Sequence, residues 1–151
     1  MNITARISWR RSEGTSFVDG RYSRVHRWDL DGGASFDISS SPEIVPVPMS
    51  DPGLMDPEEA FLASISACHM LFFLGIAAKK KWVVEKYADD ATGIIEMNAD
   101  GRMSFTSICL KPEILFGGDQ QPGEEMISQI HAMAHANCIL ANSINATIKI
   151  V

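Results

Sequence analysis

The chain opens on strict alternation. Ile3, Ala5, Ile7 and Trp9 are spaced by polar residues, the two-residue period of a strand with one covered face. A polar turn follows at 10–14, then a second strand beginning at Phe17 or Arg21 and ending at Leu30, with Tyr22, Arg24, His26 and Trp28 on one face. Asp31-Gly32-Gly33 is a hairpin signal, and a third strand is expected over 34–39. The pattern then breaks. Residues 40–55 carry Pro42, Pro46, Pro48 and Pro52 among Ile44, Val45, Val47 and Met49, which excludes a helix or a central strand. The segment is too apolar for a loose linker. It is expected to be either an ordered loop or an extended stretch lying across a surface, its own or another subunit's.

Residues 56–81 dominate the chain. Asp56 suits a helix N-cap, Pro57 the first helical position, and Glu59 the acid of a capping box. Glu58 and Glu59 favour the positive end of the helix dipole, and Lys79, Lys80 and Lys81 the negative end. Between them Phe61, Leu62, Ile65, Leu71, Phe72, Phe73, Leu74 and Ile76 fall on every side, so the helix is expected to be buried all round. Residues 61–78 are also long and apolar enough to raise a membrane span. Ser64, Ser66, Cys68 and His69 dilute the run and its flanks read as strands, so no membrane association is expected.

After this helix, strands are expected over 82–87 and 91–98, a turn at Asn98-Ala99-Asp100-Gly101, and a long strand over 102–116 interrupted at Pro112. Pro122, Glu124 and Glu125 open a second helix with Ile127, Ile130 and Ala134 on its buried face. A helical turn over 138–144 and a closing strand over 146–151 complete a single α+β domain spanning 1–151.

The charge balance of −6 argues against a nucleic-acid partner. Three cysteines without a C-x-x-C pair fit a reducing, cytoplasmic setting, and the polar alternating start is not a signal peptide. His131 and His135 share a helix face but lack the acid of an H-E-x-x-H zinc motif. The four histidines are therefore read as solvated or core residues, with no metal and no cofactor. His69 leaves the helix about 100° round from Cys68, which disfavours a Cys-His nucleophile pair. Cys109 reads as a small core residue, and the eight methionines as gap-filling core.

A cysteine walled in by hydrocarbon is an inert core residue unless a cation and a redox partner stand beside it. Here the sequence carries a resemblance. D-P-E-E-A-F-L-A-S-I-S-A-C, with an acid ten residues ahead of Cys68, and Cys138 ahead of the final strand resemble the OsmC/Ohr family of osmotically inducible and organic-hydroperoxide-resistance proteins. The likeness covers nearly the whole chain. It implies an OsmC-like fold, antiparallel sheets around a long buried helix in an intertwined two-fold homodimer. It also implies a thiol peroxidase in which Cys68 is peroxidatic and Cys138 resolving. Arg21 matches the family's arginine, with Arg24 as the alternative, and Glu58 matches the acid that holds it. The substrate implied is an alkyl or lipid hydroperoxide, and the reductant an external dithiol, lipoyl-type or small. Ile139 stands where the family commonly has proline, His69 follows the first cysteine, and the 40–55 segment is longer than in well-known members.

The helix adds a constraint of its own. Ten residues at about 1.5 Å each put Glu58 and Cys68 about 15 Å apart on one chain. They share a compact site only if a second chain supplies one of them or the arginine bridges a long gap, so a two-fold dimer with composite sites is expected. The apolar wall of Phe61, Leu62, Ile65, Phe72 and Phe73 suits an apolar peroxide, and suits a simple core equally well. Two further readings stay open: a non-catalytic dimeric binding protein for a small apolar ligand, and a metal-binding protein using Cys and His.

Overall fold

The computed structural model describes every residue from Met1 to Val151. The chain divides into two compact units, Met1–Phe61 and Leu62–Val151. In the first, β1 (Ala5–Ser8), β2 (His26–Leu30) and β3 (Ser35–Ile38) form an antiparallel sheet in that order. Ile7 lies opposite Trp28, and Trp28 opposite Phe36. Gly33 turns the β2–β3 hairpin at φ +87 and donates to the Leu30 carbonyl at 2.9 Å, a left-handed position that glycine adopts without strain.

The second strand is shorter than its apolar pattern predicts. Phe17 and Tyr22 stack on each other with centroids 4.5 Å apart, and Trp9 meets Tyr22 edge-on at 5.2 Å. These rings find partners in a loop, so they need no ladder. Residues 40–55 form neither helix nor strand, as the prolines require. The segment is fastened within its own unit: Asp51 N–H donates to Ser39 Oγ at 2.9 Å and Arg24 N–H to the Met49 carbonyl at 2.7 Å.

Helix α1 (Pro57–Lys79) begins where the cap predicts. Glu59 N–H donates to Asp56 Oδ1 at 2.8 Å, and Asp56 N–H donates to Glu59 Oε2 at 3.1 Å, a complete capping box. At the other end Lys81 takes φ 69 and Trp82 N–H reaches back to the Ala77 carbonyl at 3.0 Å, the bond of a Schellman stop. The expectation of burial on every side does not hold for the single chain. Ile65, His69, Phe73 and Ala77 form one buried stripe, while Leu71 is 65% exposed and Ala63, Ala67, Gly75 and Ala78 are exposed with it. By length and composition α1 is a helix that could cross a membrane.

In the second unit β4 (Val83–Asp89) pairs antiparallel with β7 (Pro112–Gly117). A second sheet runs β5 (Thr92–Met97), β6 (Met103–Leu110), β8 (Thr147–Ile150), with β5 antiparallel and β8 parallel to β6. The long strand expected over 102–116 is thus two strands in two sheets. Pro112 has no N–H to continue the ladder, and the Lys111 N–H at the break is taken by Asp89 Oδ1 at 2.6 Å. Helix α2 (Glu124–Asn137) lays Ile130 and Ala134 against Phe73 and Ala77 of α1, flanked by Trp82, Tyr87, Ile114 and Phe116. Burying a side chain the size of Phe73 contributes about 1.5–3 kcal/mol. This core joins the two cysteine-bearing helices.

Candidate active site

Cys68 lies near the middle of α1 and is half-buried, while Cys138 caps the C-terminus of α2 and is 1% exposed. Both are free thiols, and Cys68 stands within hydrogen-bonding reach of Cys138. The local chain explains why Cys138 is where it is. At ψ 114 it leaves the helix, and a short 3-10 turn (Ala141–Ser143) curls back so that Ala141 N–H donates to Cys138 Sγ at 3.4 Å. Asn142 fastens that turn, its Nδ2 donating to the Ala136 and Cys138 carbonyls at 3.0 and 3.1 Å. Burial pushes the Cys138 thiol pKa up, and the hydrogen bond to Cys68 adds to this; the backbone N–H groups of Ala141 and Leu140 partly offset both. Cys138 is therefore held as a thiol at neutral pH.

The remaining expected residues lie in the first unit. A cleft of about 500 Å³ is lined there by Ile7, Trp9, Phe17, Tyr22, Arg24 and Glu58, among others. The Arg24 guanidinium sits 3.6 Å above the Tyr22 ring centroid and donates through Nη1 to the Gly20 carbonyl at 3.0 Å. It donates also to the Tyr22 carbonyl at 2.5 Å. Glu58 Oε2 is buried with no hydrogen-bond partner. Arg21 is exposed and is not among the residues lining this cleft; its backbone N–H is tied to Asp19 Oδ1 at 3.0 Å. The structure thus brings Arg24 and Glu58 to one cleft, and Cys68 and Cys138 to one contact.

Sequence reasoning missed a third feature. His69 is 1% exposed, and its Nε2 is 3.0 Å from His131 Nδ1. The two rings are nearly parallel, 5° apart in plane with centroids separated by 5.3 Å. Burial lowers both pKa values, that of His69 to about 4, with the neighbouring His131 and His135 adding to the shift. Nearby Asp89, which acts the other way on both, also accepts a hydrogen bond from Ser66 Oγ. The only sequence hint was that His69 continues the Ile65–Phe73–Ala77 stripe. No group of three His, Cys, Asp or Glu side chains is arranged to hold a metal ion. Cys109, half-buried on β6, lies opposite Lys149 and Thr92 in the ladder.

The chain thus carries one thiol on its long helix and a second at the end of the other. The family model described as OsmC-like protein matches residues 50–151, and the chain belongs to the OsmC-like family. It is similar along its whole length to an OsmC-like protein of unknown function from Vibrio cholerae, with 42% identity and a TM-score of 0.97, covering 100% of this chain and 99% of that one. More distant is a Legionella pneumophila protein described as an organic hydroperoxide resistance protein and predicted redox protein. It is 17% identical with a TM-score of 0.72, over 99% of this chain and 95% of that one. The organic hydroperoxide resistance protein of Bacillus subtilis is 16% identical with a TM-score of 0.62, over 97% and 96% of the two chains. At such identities the likeness is one of fold. No curated protein matches the chain.

Proposed function

We propose that this protein is a thiol-dependent peroxidase that reduces organic hydroperoxides to alcohols. The observation that carries the reading is the pair of reduced sulfurs: Cys68, half-buried, within hydrogen-bonding reach of Cys138, fully buried. A cysteine at neutral pH is only a few per cent thiolate yet strongly nucleophilic. The Cys68 thiolate attacks one peroxide oxygen, forming S–O as O–O breaks; the alkoxide takes a proton and leaves as the alcohol. Cys138 then attacks the Cys68 sulfenic acid, forming S–S and releasing water. An external dithiol restores both thiols and is itself oxidised to a disulfide.

The cation for this chemistry is assigned to Arg24, whose charge is permanent and whose fork donates to oxygen. Glu58 is assigned the role of holding the guanidinium once it turns into the site. Since Glu58 and Cys68 are about 15 Å apart along one helix, the site is a composite one, with the Arg24–Glu58 cleft serving Cys68 of a second copy in a two-fold dimer. The exposed Ala63, Ala67, Leu71, Gly75 and Ala78 face of α1 supports such pairing. So does the unpartnered Glu58 oxygen. The aromatic lining of the cleft also favours a second reading, capture of a small apolar ligand without turnover.

One assay separates the two. Consumption of cumene hydroperoxide with dithiothreitol is compared among wild type, Cys68→Ser and Cys138→Ser. The peroxidase loses turnover in the first variant and accumulates over-oxidised Cys68 in the second. Equal rates in all three would end the enzymatic reading.

A further inference from the structure

Residues 68 and 69 make two different contacts from α1 towards α2. The Cys68 thiol reaches Cys138, and the His69 ring reaches His131 at 3.0 Å. Successive helical side chains diverge by about 100°, so a roll of α1 that opens one contact disturbs the other. His131 stands two helical turns before Cys138 on α2, with its ring on Phe73 at 4.5 Å between centroids. The rest of the α1–α2 contact is apolar, chiefly Phe73 and Ala77 on Ile130 and Ala134, and apolar contact has no directional preference of its own. A hydrogen bond between imidazoles does.

We propose that the His69–His131 hydrogen bond is a positioning device for the disulfide step. It holds α1 and α2 in the register that keeps Cys138 against Cys68. The inference rests on the peroxidase reading for its purpose and on geometry alone for its effect. A sulfenic acid at Cys68 has two fates. Cys138 converts it to a disulfide and water, or a second hydroperoxide molecule oxidises it to the sulfinic acid and leaves as alcohol. The first fate wins only while the two sulfurs are held in attack geometry, and a displacement of the order of 1 Å costs up to about 10²-fold in such a step. A bond between two neutral rings needs one N–H and one lone pair, which is the state their burial favours. His135 on α2 and Asp89 on β4 are the other titratable groups that act on the pair.

The test uses the full chain and two measurements. The first is independent of any peroxidase activity: the yield of the Cys68–Cys138 disulfide in a redox buffer of reduced and oxidised dithiothreitol, read by intact mass. His131→Leu, which removes the bond, is expected to lower the disulfide equilibrium constant by about tenfold. His131→Asn places an amide where Nδ1 stood and is expected to restore most of it. His131→Gln places its amide at the Nε2 position and is expected to behave like leucine. The second measurement adds cumene hydroperoxide without reductant, where the leucine variant is expected to consume the first equivalent at the wild-type rate but gather sulfinic acid. Circular dichroism and a thermal midpoint report folding. If the leucine variant does not fold, the asparagine and glutamine variants decide the question. Wild-type disulfide yields in His131→Leu, or equal yields in His131→Asn and His131→Gln, would overturn the inference. Inertness of the wild type to peroxide, with the redox-buffer effect intact, would overturn the peroxidase reading and leave the positioning role standing.

Discussion

Arg24 and Glu58, separated by most of the first unit in sequence, line the same aromatic-walled cleft. Arg24 is stacked on Tyr22 and bonded to carbonyls, and a Glu58 oxygen is buried without a partner. A guanidinium bonded to backbone through Nη1 keeps its other N–H groups for a further acceptor. Arg24→Lys keeps the charge but loses the fork. The peroxidase reading therefore expects kcat/KM for cumene hydroperoxide to fall by about 10²-fold or more, the scale of losing one oriented donor. Arg21→Lys should leave it unchanged. Steady-state kinetics on the two variants check this.

The capping box at Asp56 and Glu59 makes a prediction for stability. Asp56→Ala removes the acceptor for Glu59 N–H and is expected to cost about 1 kcal/mol, within the usual 0.5–2 kcal/mol for a lost cap. Urea midpoints with unchanged m-values would measure it. The variant should also loosen the first turn, on which Glu58 sits.

Thiol reactivity should follow burial. Cys138 is 1% exposed and its pKa is raised, chiefly by burial, so in the native protein iodoacetamide at mildly alkaline pH should alkylate it after Cys68 and Cys109. The order should vanish in guanidinium chloride. Peptide mapping of partially alkylated protein reads out the ranking.

Stability should fall on acidification before most carboxylates titrate. His69 binds its proton at about pH 4 when folded, against an ordinary 6.5, because burial disfavours the cation. Between those values the unfolded chain holds more protons than the native one, so stability rises with pH through this window and is lost as pH falls through it. His131 shifts in the same direction. Thermal midpoints of wild type should drop between about pH 6.5 and 4, and His69→Leu should flatten part of the slope.

Leu71 tests the composite site. It is 65% exposed on one chain, and at a free surface Leu71→Glu should change stability by less than about 0.5 kcal/mol. In the proposed dimer the same charge lands in an apolar interface. Sedimentation should then show a halved mass, and peroxide turnover should disappear with it.

Much of this was legible from pattern alone. The D-P-E-E start carried the α1 cap because its partners are three residues apart, and local spacing is what a sequence displays. Period two put Tyr22, Arg24 and His26 on one face of a strand; the strand begins only at His26, but all three line the cleft. Of the two arginines the family likeness offered, Arg24 lines that cleft and Arg21 does not. What stayed hidden depends on long-range register. Pro112 marked a break, but nothing local says that β6 and β7 enter different sheets or that β8 returns parallel to β6. His69 and His131 each look like an ordinary histidine until the fold brings their nitrogens together across 62 residues of sequence separation.

The parallel pairing of β8 with β6 bears on how the molecule is born. Ser107 waits for Thr147 and Leu110 for Ile150, so the central strand of that sheet lacks one neighbour until the last strand has left the ribosome. During the same interval Phe73 and Ala77 have no Ile130 or Ala134 to rest on. A nascent chain thus displays a long, greasy α1 for as long as it takes to synthesise α2. That makes the unfinished polypeptide a natural client for a holding chaperone.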